Sequence, residues 1–203
     1  MKPNGEFCHS LLDLTYSDGL LDKNMTRPVS LSSLKVTKHH IPAYGSFPNT
    51  SLQHHPLLIY HGCFPSSVTA SSVEAHLTST GVVAPAWRFP MYRQHHYHST
   101  THEVLVVTSG AARLCFGGGG NPGKVEQQVD QGDVMVVPAG VAHAMIEDHG
   151  GFQMVGSYPV GGEQWDMCTG EEGEKGEAWK RIQKLRWFDR DPVYGDQGPT
   201  ISA

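Results

Sequence analysis

Short apolar runs separated by turn-forming residues dominate the chain from residue 103 to residue 160. The runs are rich in β-branched residues, and Gly, Pro or Asp lies between them. Such runs predict β-strands, and their recurrence at intervals of roughly 8–12 residues is typical of a sandwich or a barrel. The predicted strands cover 103–110, 111–117, 124–129, 133–140, 142–148 and 152–160, and two earlier strands are predicted at 34–41 and at Leu57–Tyr60.

Two segments carry the pattern of a helix instead. Residues 70–80 begin with serines, contain an early glutamate and are followed by a glycine, which are start and stop signals for a helix. Residues 174–188 are amphipathic, because large side chains recur on one face at a spacing of three to four: Trp179, Ile182 and either Leu185 or Arg186. We expect this second helix to cover the barrel or to lie in a dimer interface.

Length and composition indicate one domain with terminal extensions. The chain has 203 residues, of which 38% are hydrophobic and 17% charged, so it can bury a sizeable core. Glycine (23) and proline (13) are abundant and spread out, which favours turns and short strands. Since no internal repeat is present, we predict an N-terminal arm at 1–30, a single barrel at 31–170, and a C-terminal helix and extended tail packed on the barrel at 171–203.

Charge and cysteine usage exclude several classes of protein. The formal net charge is −5 and there is no basic stripe, which argues against a nucleic-acid partner. No apolar run is long enough to cross a membrane, and the N-terminus lacks the features of a signal peptide. The four cysteines are far apart and form no CxxC pair, so they predict no disulfide framework: Cys8, Cys63, Cys115 and Cys168. We expect a cytoplasmic protein with reduced thiols.

A histidine cluster lies at the start of the strand-rich region, in the stretch HHYHSTTHE at 95–103. Because side chains alternate between the two faces of a strand, His96 and His98 share one face, while His95 and Tyr97 point the other way. Two imidazoles at positions i and i+2 on an inward face can hold one metal ion. Glu103 opens the next apolar run and can supply a carboxylate from the same barrel face.

A fourth candidate ligand, His143, follows much later in the stretch GDVMVVPAGVAH. It comes after a Gly132 turn, a buried strand and a second turn at 138–140. Three neutral imidazoles and one carboxylate suit a divalent transition metal such as Fe, Mn, Ni or Zn, with Co and Cu also possible. Four protein ligands leave one or two positions on the ion for water or substrate, as catalysis at a metal requires.

These two stretches resemble the two motifs of the cupin superfamily. The first motif is HxH, four residues, Glu, six residues and Gly, here His96, His98, Glu103 and Gly110. The second is Gly, five residues, PxG, two residues and His, here Gly132, Pro138, Gly140 and His143. Two positions depart from the usual motif, since Pro90 replaces a glycine and Glu147 an asparagine. The resemblance implies an all-β jelly roll, a double-stranded β-helix with a few flanking helices.

A narrower resemblance covers most of residues 45–199 and points to the bacterial YjlB-like branch of single-domain cupins. It rests on the stretches FPNTSLQHHPLLIYHG, WRFPMYRQHHYHSTTHEVL, VGSYPVGGEQWDM and DPVYGDQGP. This resemblance implies a homodimer and says little about chemistry.

Several residues near the motifs have more ordinary interpretations. We expect His95 and His102 to face outward or to hydrogen-bond a ligand rather than to bind metal. Cys115 is expected to be a small core residue, and Glu147 a solvated loop acid rather than a proton shuttle. The segment GGGGNPGK at 117–124 contains G-x-x-x-x-G-K, but valine follows instead of Ser or Thr, so we predict a hairpin loop and no phosphate site.

Five further side chains are candidates to line a pocket, although each type is more often found in packing or on the surface. They are Arg88, Tyr92, Tyr97, Arg113 and Trp165.

The sequence favours a metal-dependent enzyme that acts on a small organic substrate. We interpret Glu103 as a metal ligand in the resting state and a proton acceptor during turnover. Three histidines and one glutamate suit iron, which favours an oxygenase. A redox-silent metal would instead serve an isomerase, dehydratase, cyclase or decarboxylase. A cupin that binds a small ligand without turnover is the alternative outside enzymes, and a storage protein has less support.

Overall fold

Two antiparallel β-sheets face each other in the structure, a computed structural model that describes residues 26–203. The helices are α1 (Ala70–Thr80) and α2 (Lys175–Ile182). The strands are β1 (Lys35–His39), β2 (Leu57–His61), β3 (Val83–Phe89), β4 (Glu103–Ser109), β5 (Ala111–Phe116), β6 (Val125–Asp130), β7 (Val134–Val137), β8 (His143–Asp148) and β9 (Gln153–Pro159).

The larger sheet has six strands in the order β1-β2-β7-β4-β9-β3, and the smaller has three in the order β6-β5-β8. The chain passes from one sheet to the other after β4, returns after β6, and crosses again before and after β8. This repeated crossing closes the two sheets into the barrel that the sequence predicts. The predicted strands from residue 103 onward are all present, with ends shifted by a few residues.

The interior of the barrel is filled from both sheets by side chains at alternate strand positions. Leu105, Met135 and Met154 come from the six-stranded sheet, and Leu114 and Phe116 come from the three-stranded one. All five are at most 1% exposed. Their burial is the main contribution of the barrel core to stability, because each large apolar side chain removed from water contributes roughly 1.5–3 kcal/mol.

The six-stranded sheet is also covered on its outer face. Val104, Val106 and Val136 point outward from it and pack against Leu77 of α1 and Phe188 of the C-terminal segment. This double burial explains why the runs at 104–107 and 134–137 are continuously apolar. The outer face of the smaller sheet is instead solvated, and exposed residues alternate with covered ones along β6.

Two motif glycines are required by the turns between the sheets. Gly110 connects β4 to β5 with φ +65°, and a Cβ atom there would lie 2.3 Å from the carbonyl oxygen of Gly150. Gly132 has φ +100°, and a Cβ atom would lie 2.2 Å from the carbonyl oxygen of Phe64. A side chain at Gly110 or Gly132 would displace the neighbouring backbone segment, since the nearest atom in each case is a main-chain carbonyl oxygen.

Helix α1 begins and ends where the sequence predicts. The Thr69 side chain accepts a hydrogen bond from the Ser72 backbone N–H (3.2 Å), and Gly81 ends the helix in the left-handed conformation. Helix α2 is shorter than the predicted 174–188, because it ends at Ile182. There the Gln53 side chain donates to the carbonyl oxygens of Ile182 (2.5 Å) and Leu185 (2.8 Å).

Strand β3 was not among the predicted strands. It contains Pro85, which removes a backbone donor and makes a central strand position unfavourable. The structure places β3 at the edge of the larger sheet, where it pairs with β9 and shifts register between Pro85 and Trp87. An edge position and a bulge are the two settings in which a sheet tolerates proline.

The C-terminal residues form turns and a short 3-10 helix (Pro199–Ser202), which corrects the predicted extended tail. Asp191 is fully buried and organises this segment. Its carboxylate accepts hydrogen bonds from the Tyr60 hydroxyl (2.7 Å), the Thr200 hydroxyl (2.9 Å) and the backbone N–H of Val193 (2.9 Å). The predicted limits 31–170 and 171–203 stay predictions, and most of the predicted arm at 1–30 lies outside the described residues.

Replacement of Asp191 by alanine is expected to lower the free energy of unfolding by about 3 kcal/mol, because it leaves buried hydroxyl and amide donors without an acceptor. Urea denaturation followed by tryptophan fluorescence measures the change. Asp189→Ala is the control, since Asp189 is exposed, and is expected to change stability by less than about 0.5 kcal/mol. Equal stability of the two variants would contradict the role of Asp191.

Candidate metal centre

The first two histidines lie on a segment that pairs only briefly with its neighbours. His96 forms an isolated bridge with His143, and Tyr97 forms one with Cys168. The backbone N–H of His143 donates to the carbonyl oxygen of His96 (2.9 Å). Side chains alternate along this segment as predicted: His96 and His98 turn to the barrel interior, while Tyr97 packs beside Cys168 in a separate apolar cluster.

The structure brings the four predicted ligands together at one end of the barrel. The ligating nitrogens of His96, His98 and His143 lie within 4.8 Å of one another. Glu103 lies beside two of them: its Oε1 is 3.4 Å from Nε2 of His98 and its Oε2 is 3.3 Å from Nε2 of His143. All four residues are at most 5% exposed, so the cluster is shielded from bulk water.

Backbone carbonyls fix how each ring is turned. Nδ1 of His96 bonds to the carbonyl oxygen of Gln94 (3.1 Å), and Nδ1 of His143 to that of Val141 (2.9 Å). Nδ1 of His98 bonds to the carbonyl oxygen of Asp166. Because a carbonyl can only accept, each Nδ1 carries the hydrogen, and in the neutral ring each Nε2 keeps a lone pair for the centre of the cluster. This is the arrangement in which histidine binds a metal ion.

The arrangement of charges in the cluster favours a bound cation. The Nε2 lone pairs of His98 and His143 face carboxylate oxygens of Glu103 at hydrogen-bond range, and this contact is repulsive unless a proton or a metal ion lies between them. Burial opposes a charge on His98, but Glu103 outweighs it and raises the pKa of the ring. Burial likewise opposes ionisation of Glu103, but His98 and His143 hold its pKa well below the usual value. The donor set therefore fits a divalent metal ion bound between the three imidazoles and the carboxylate.

The pKa of His96 is shifted in the opposite direction from that of His98. Burial, and then the neighbouring His143, lowers the pKa of His96 to about 3. The ring is therefore neutral at physiological pH, as a metal ligand must be.

Tyr158 holds the carboxylate in place. Its hydroxyl donates to Oε1 of Glu103 (2.8 Å) and accepts from Nε1 of Trp87 (2.9 Å). Burial, and then Glu103, raises the pKa of Tyr158, so the phenol stays protonated and remains a donor. The indole of Trp87 lies directly against Gly156, where a Cβ atom would approach it to 2.1 Å. Neither Trp87 nor Tyr158 was predicted to belong to the site, although Tyr158 is four residues after the inward-facing Met154 and so shares its face.

A loop after β9 supports His98 from the other side. The side chain of Asp166 accepts from the backbone N–H (2.7 Å) and hydroxyl (2.5 Å) of Ser99, the residue after His98. Arg181 of α2 donates to the Ser99 hydroxyl (2.9 Å) and lies 3.3 Å from the Asp166 carboxylate. Sequence reasoning did not find Asp166, because it lies 68 residues from His98 in a stretch, VGSYPVGGEQWDM, that carries no metal-ligand spacing.

A cavity of about 270 Å³ opens onto the four donors. Among the predicted pocket residues, Arg88, Tyr92 and Trp165 line it. Tyr97 does not, since it packs beside Cys168, and Arg113 instead faces Glu147 on the outside of the smaller sheet (3.4 Å).

The remaining residues singled out in the sequence lie outside the cluster. His102 is 2% exposed, contrary to an outward orientation, and joins the barrel to the C-terminal segment. Its Nδ1 accepts from the backbone N–H of Ala139 (3.0 Å) and its Nε2 bonds to the carbonyl oxygen of Arg186 (3.2 Å). His95 packs near Phe47, at a centroid distance of 6.4 Å.

Cys115 is a buried free thiol in the smaller sheet, as predicted, and Glu147 is exposed on β8. The segment 117–124 forms the β5–β6 hairpin loop, and no helix follows it. Its Asn121 is 2% exposed and donates to the carbonyl oxygens of Pro42 and Gly117, both at 3.0 Å. Within residues 26–203, no helix is both long and apolar enough to cross a membrane.

Comparisons with known proteins agree with the motifs. A protein-family model described as Cupin matches residues 64–156. The protein YjlB of Bacillus subtilis (strain 168) is 33% identical to this chain over 163 residues, which cover 80% of this chain and 93% of YjlB.

Solved structures with a similar arrangement are larger than this chain. The 11S allergen of Cocos nucifera has a TM-score of 0.35 at 14% identity, over 70% of this chain and 32% of its own. A variant of the Bacillus subtilis oxalate decarboxylase OxdC has a TM-score of 0.31 at 16% identity, over 70% of this chain and 29% of its own. The chain thus spans about a third of the length of these structures.

Tyr158→Phe is expected to weaken metal binding by about tenfold, because it removes the hydroxyl that orients Glu103 while leaving the ring in place. Competition between the protein and a chelator for zinc at fixed pH measures the affinity. Tyr44→Phe is the matched control, since Tyr44 is 44% exposed and does not line the cavity. Unchanged affinity in Tyr158→Phe would show that the phenol does not support the ligand.

Proposed function

The chain belongs to the cupin superfamily and has its all-β fold, and from this premise we propose that it is a metal-dependent enzyme acting on a small organic molecule. One observation carries the proposal: three imidazole lone pairs and one carboxylate converge at the end of a cavity that is open to solvent on its other side. A metal site that only stabilised the fold would be enclosed by packed side chains and would need no cavity beside it.

The residues fit a transition metal better than a hard cation such as Mg²⁺, since three of the four donors are imidazoles. Fe, Mn, Ni and Zn all accept this donor set, and His96, His98, Glu103 and His143 would hold the ion. When bound, such an ion polarises a substrate oxygen, and a redox-active one also activates molecular oxygen.

The chain's own groups have separate tasks in this proposal. The three histidines, held by backbone carbonyls, supply neutral donors of fixed direction. Glu103 supplies the negative charge and is the candidate proton acceptor. The Tyr158 hydroxyl already occupies Oε1, so the proton would go to Oε2, which lies 3.3 Å from Nε2 of His143. The apolar cavity walls exclude water, which strengthens electrostatic interactions between the site and a bound substrate.

We favour an oxygenase over the other reactions that such a site supports. Three neutral histidines and one carboxylate would hold iron, which would supply the activation of molecular oxygen beside a bound substrate. A redox-silent ion in the same site would give an isomerase, dehydratase, cyclase or decarboxylase. A cupin that binds a small ligand without turnover is the alternative outside enzymes. The resemblance to single-domain cupins also leads us to propose a cytoplasmic homodimer.

Protein purified without added metal is expected to contain about one transition-metal ion per chain, and His96→Ala combined with His98→Ala is expected to abolish this content. Elemental analysis by mass spectrometry measures it. The control combines His40→Ala with His149→Ala, because both histidines are exposed and lie outside the cluster. Retention of stoichiometric metal by the His96/His98 variant would overturn the assignment of the site.

Oxygen uptake separates the oxygenase from the other reactions. With iron bound, the protein is expected to consume oxygen in the presence of one or more members of a panel of phenolic and dicarbonyl compounds. The zinc-loaded protein is the control and is expected to consume none, because zinc has no redox chemistry. Conversion of a compound without oxygen uptake would favour the isomerase, dehydratase, cyclase or decarboxylase. Binding without conversion under any metal would favour the non-catalytic module.

A further inference from the structure

The walls of the cavity are mostly apolar and rich in aromatic rings. The rings of Trp165 and Tyr158 are nearly parallel, at an interplanar angle of 20° and a centroid distance of 6.1 Å. Trp165 also lies 5.7 Å from the ring of His98, so it reaches the donor cluster itself. Further aromatic and aliphatic side chains complete the walls: Trp87, Phe89, Met91, Tyr92, Leu105, Met154 and Met167.

The cavity runs from an exposed apolar rim to a buried polar end. Phe89, Tyr92 and Met167 are 44%, 48% and 42% exposed and form the rim, whereas Glu103 and His143 at the other end are each 2% exposed. The Tyr92 ring extends inward from the rim to a centroid distance of 5.5 Å from the ring of His96. A ligand therefore meets polar donors at one end only. The volume of about 270 Å³ lies just below the usual lower limit of about 300 Å³ for small-molecule pockets, which favours a compact ligand.

The walls offer little to pair with a second charge. Within residues 26–203, Arg88 is the only lysine or arginine that lines the cavity. Its Nε and Nη2 atoms each lie 2.6 Å from a carboxylate oxygen of Glu74, and Nη2 also contacts the Ser71 hydroxyl (3.1 Å). Because Glu74 already neutralises this guanidinium, it is not available as a counter-ion for a ligand.

The donor cluster itself leaves one unit of positive charge. A divalent ion held by three neutral imidazoles and the Glu103 carboxylate has a net charge of +1, which one negatively charged oxygen group neutralises. A second carboxylate or a phosphate held inside the apolar walls would have no partner there, which is unfavourable.

We infer that the ligand of this site is a compact aromatic molecule that carries a single negatively charged oxygen group. That group is a carboxylate, phenolate or enolate that reaches the donor cluster, while the ring lies between Trp165 and the rim. The inference rests on the proposed function for the metal site and adds the class of molecule. It disfavours small dicarboxylates, sugar phosphates and polyols.

Calorimetric titration of zinc-loaded protein tests this class without turnover, because zinc is redox-silent. Three probes separate the contributions: salicylate has an aromatic ring and one charge, phthalate adds a second carboxylate to the ring, and glycolate keeps a hydroxy acid without the ring. Salicylate is expected to bind at least about tenfold more tightly than either of the others. Glycolate lacks the aromatic contact with the walls, and phthalate carries a second charge that has no partner.

Two aromatic variants test where the ring lies. Trp165→Ala is expected to weaken salicylate binding by about tenfold, and Tyr92→Ala, at the exposed rim, by about threefold. Tyr44→Ala is the matched control for Tyr92→Ala, since the two tyrosines are similarly exposed and Tyr44 does not line the cavity. If Trp165→Ala disturbs the loop that supports His98, the affinity of Tyr92→Ala for salicylate still tests where the ring of the ligand lies.

A charge-neutral double variant tests the role given to Arg88. Arg88→Gln combined with Glu74→Gln removes the ion pair without leaving a lone charge, and salicylate affinity is expected to stay within about twofold. A tenfold loss would identify Arg88 as the counter-ion of the ligand and overturn the charge argument.

The outcomes distinguish this inference from the proposed function. Phthalate or glycolate binding as tightly as salicylate, or no binding by any of the three, would overturn the ligand class, even if oxygen uptake with other compounds supported the enzyme. Selective salicylate binding together with no oxygen uptake under any metal would support the ligand class and remove only the oxygenase.

Discussion

The contact between Glu103 and two imidazole lone pairs is the constraint on which the site depends. Backbone carbonyls place the hydrogen of His98 and His143 on Nδ1, so neither neutral ring can donate to the carboxylate it faces. A buried carboxylate opposite two acceptors is unfavourable by several kcal/mol without a positive charge between them. A bound metal ion would supply that charge, and the ligand class that we infer follows from the same charge balance.

The fold satisfies this constraint by joining elements that are distant in the sequence. β4 supplies Glu103 and β8 supplies His143, while the short bridge between His96 and His143 fixes the first two histidines against the smaller sheet. β9 contributes Tyr158, and the loop behind it contributes Asp166. The six-stranded sheet can hold Glu103 and Tyr158 rigidly because it is buried on both faces, by the barrel interior on one side and by α1 and the C-terminal segment on the other.

The surroundings of the metal centre give the site its chemical character. The same four donors could occur in a polar or an apolar pocket. Here the walls are apolar and rich in aromatic rings, and Arg88 is paired with Glu74. Helix α2 takes part through Arg181, which links it to Ser99 and Asp166 and hence to the segment that carries His98. The helix therefore stabilises the segment that carries His98 and also covers an apolar cluster.

The sequence by itself determined the strands from residue 103 onward, helix α1, the cupin fold and the four side chains that converge. These depend on local rules: side chains alternate along a strand, glycine permits the turns at Gly110 and Gly132, and motif spacing is a count of residues. Tertiary structure alone decided the edge position of β3, the end of α2 at Ile182, the buried turns around Asp191, and the contacts of Tyr158 and Asp166. Their partners are far away in the chain, and no local pattern records which distant group a side chain will meet.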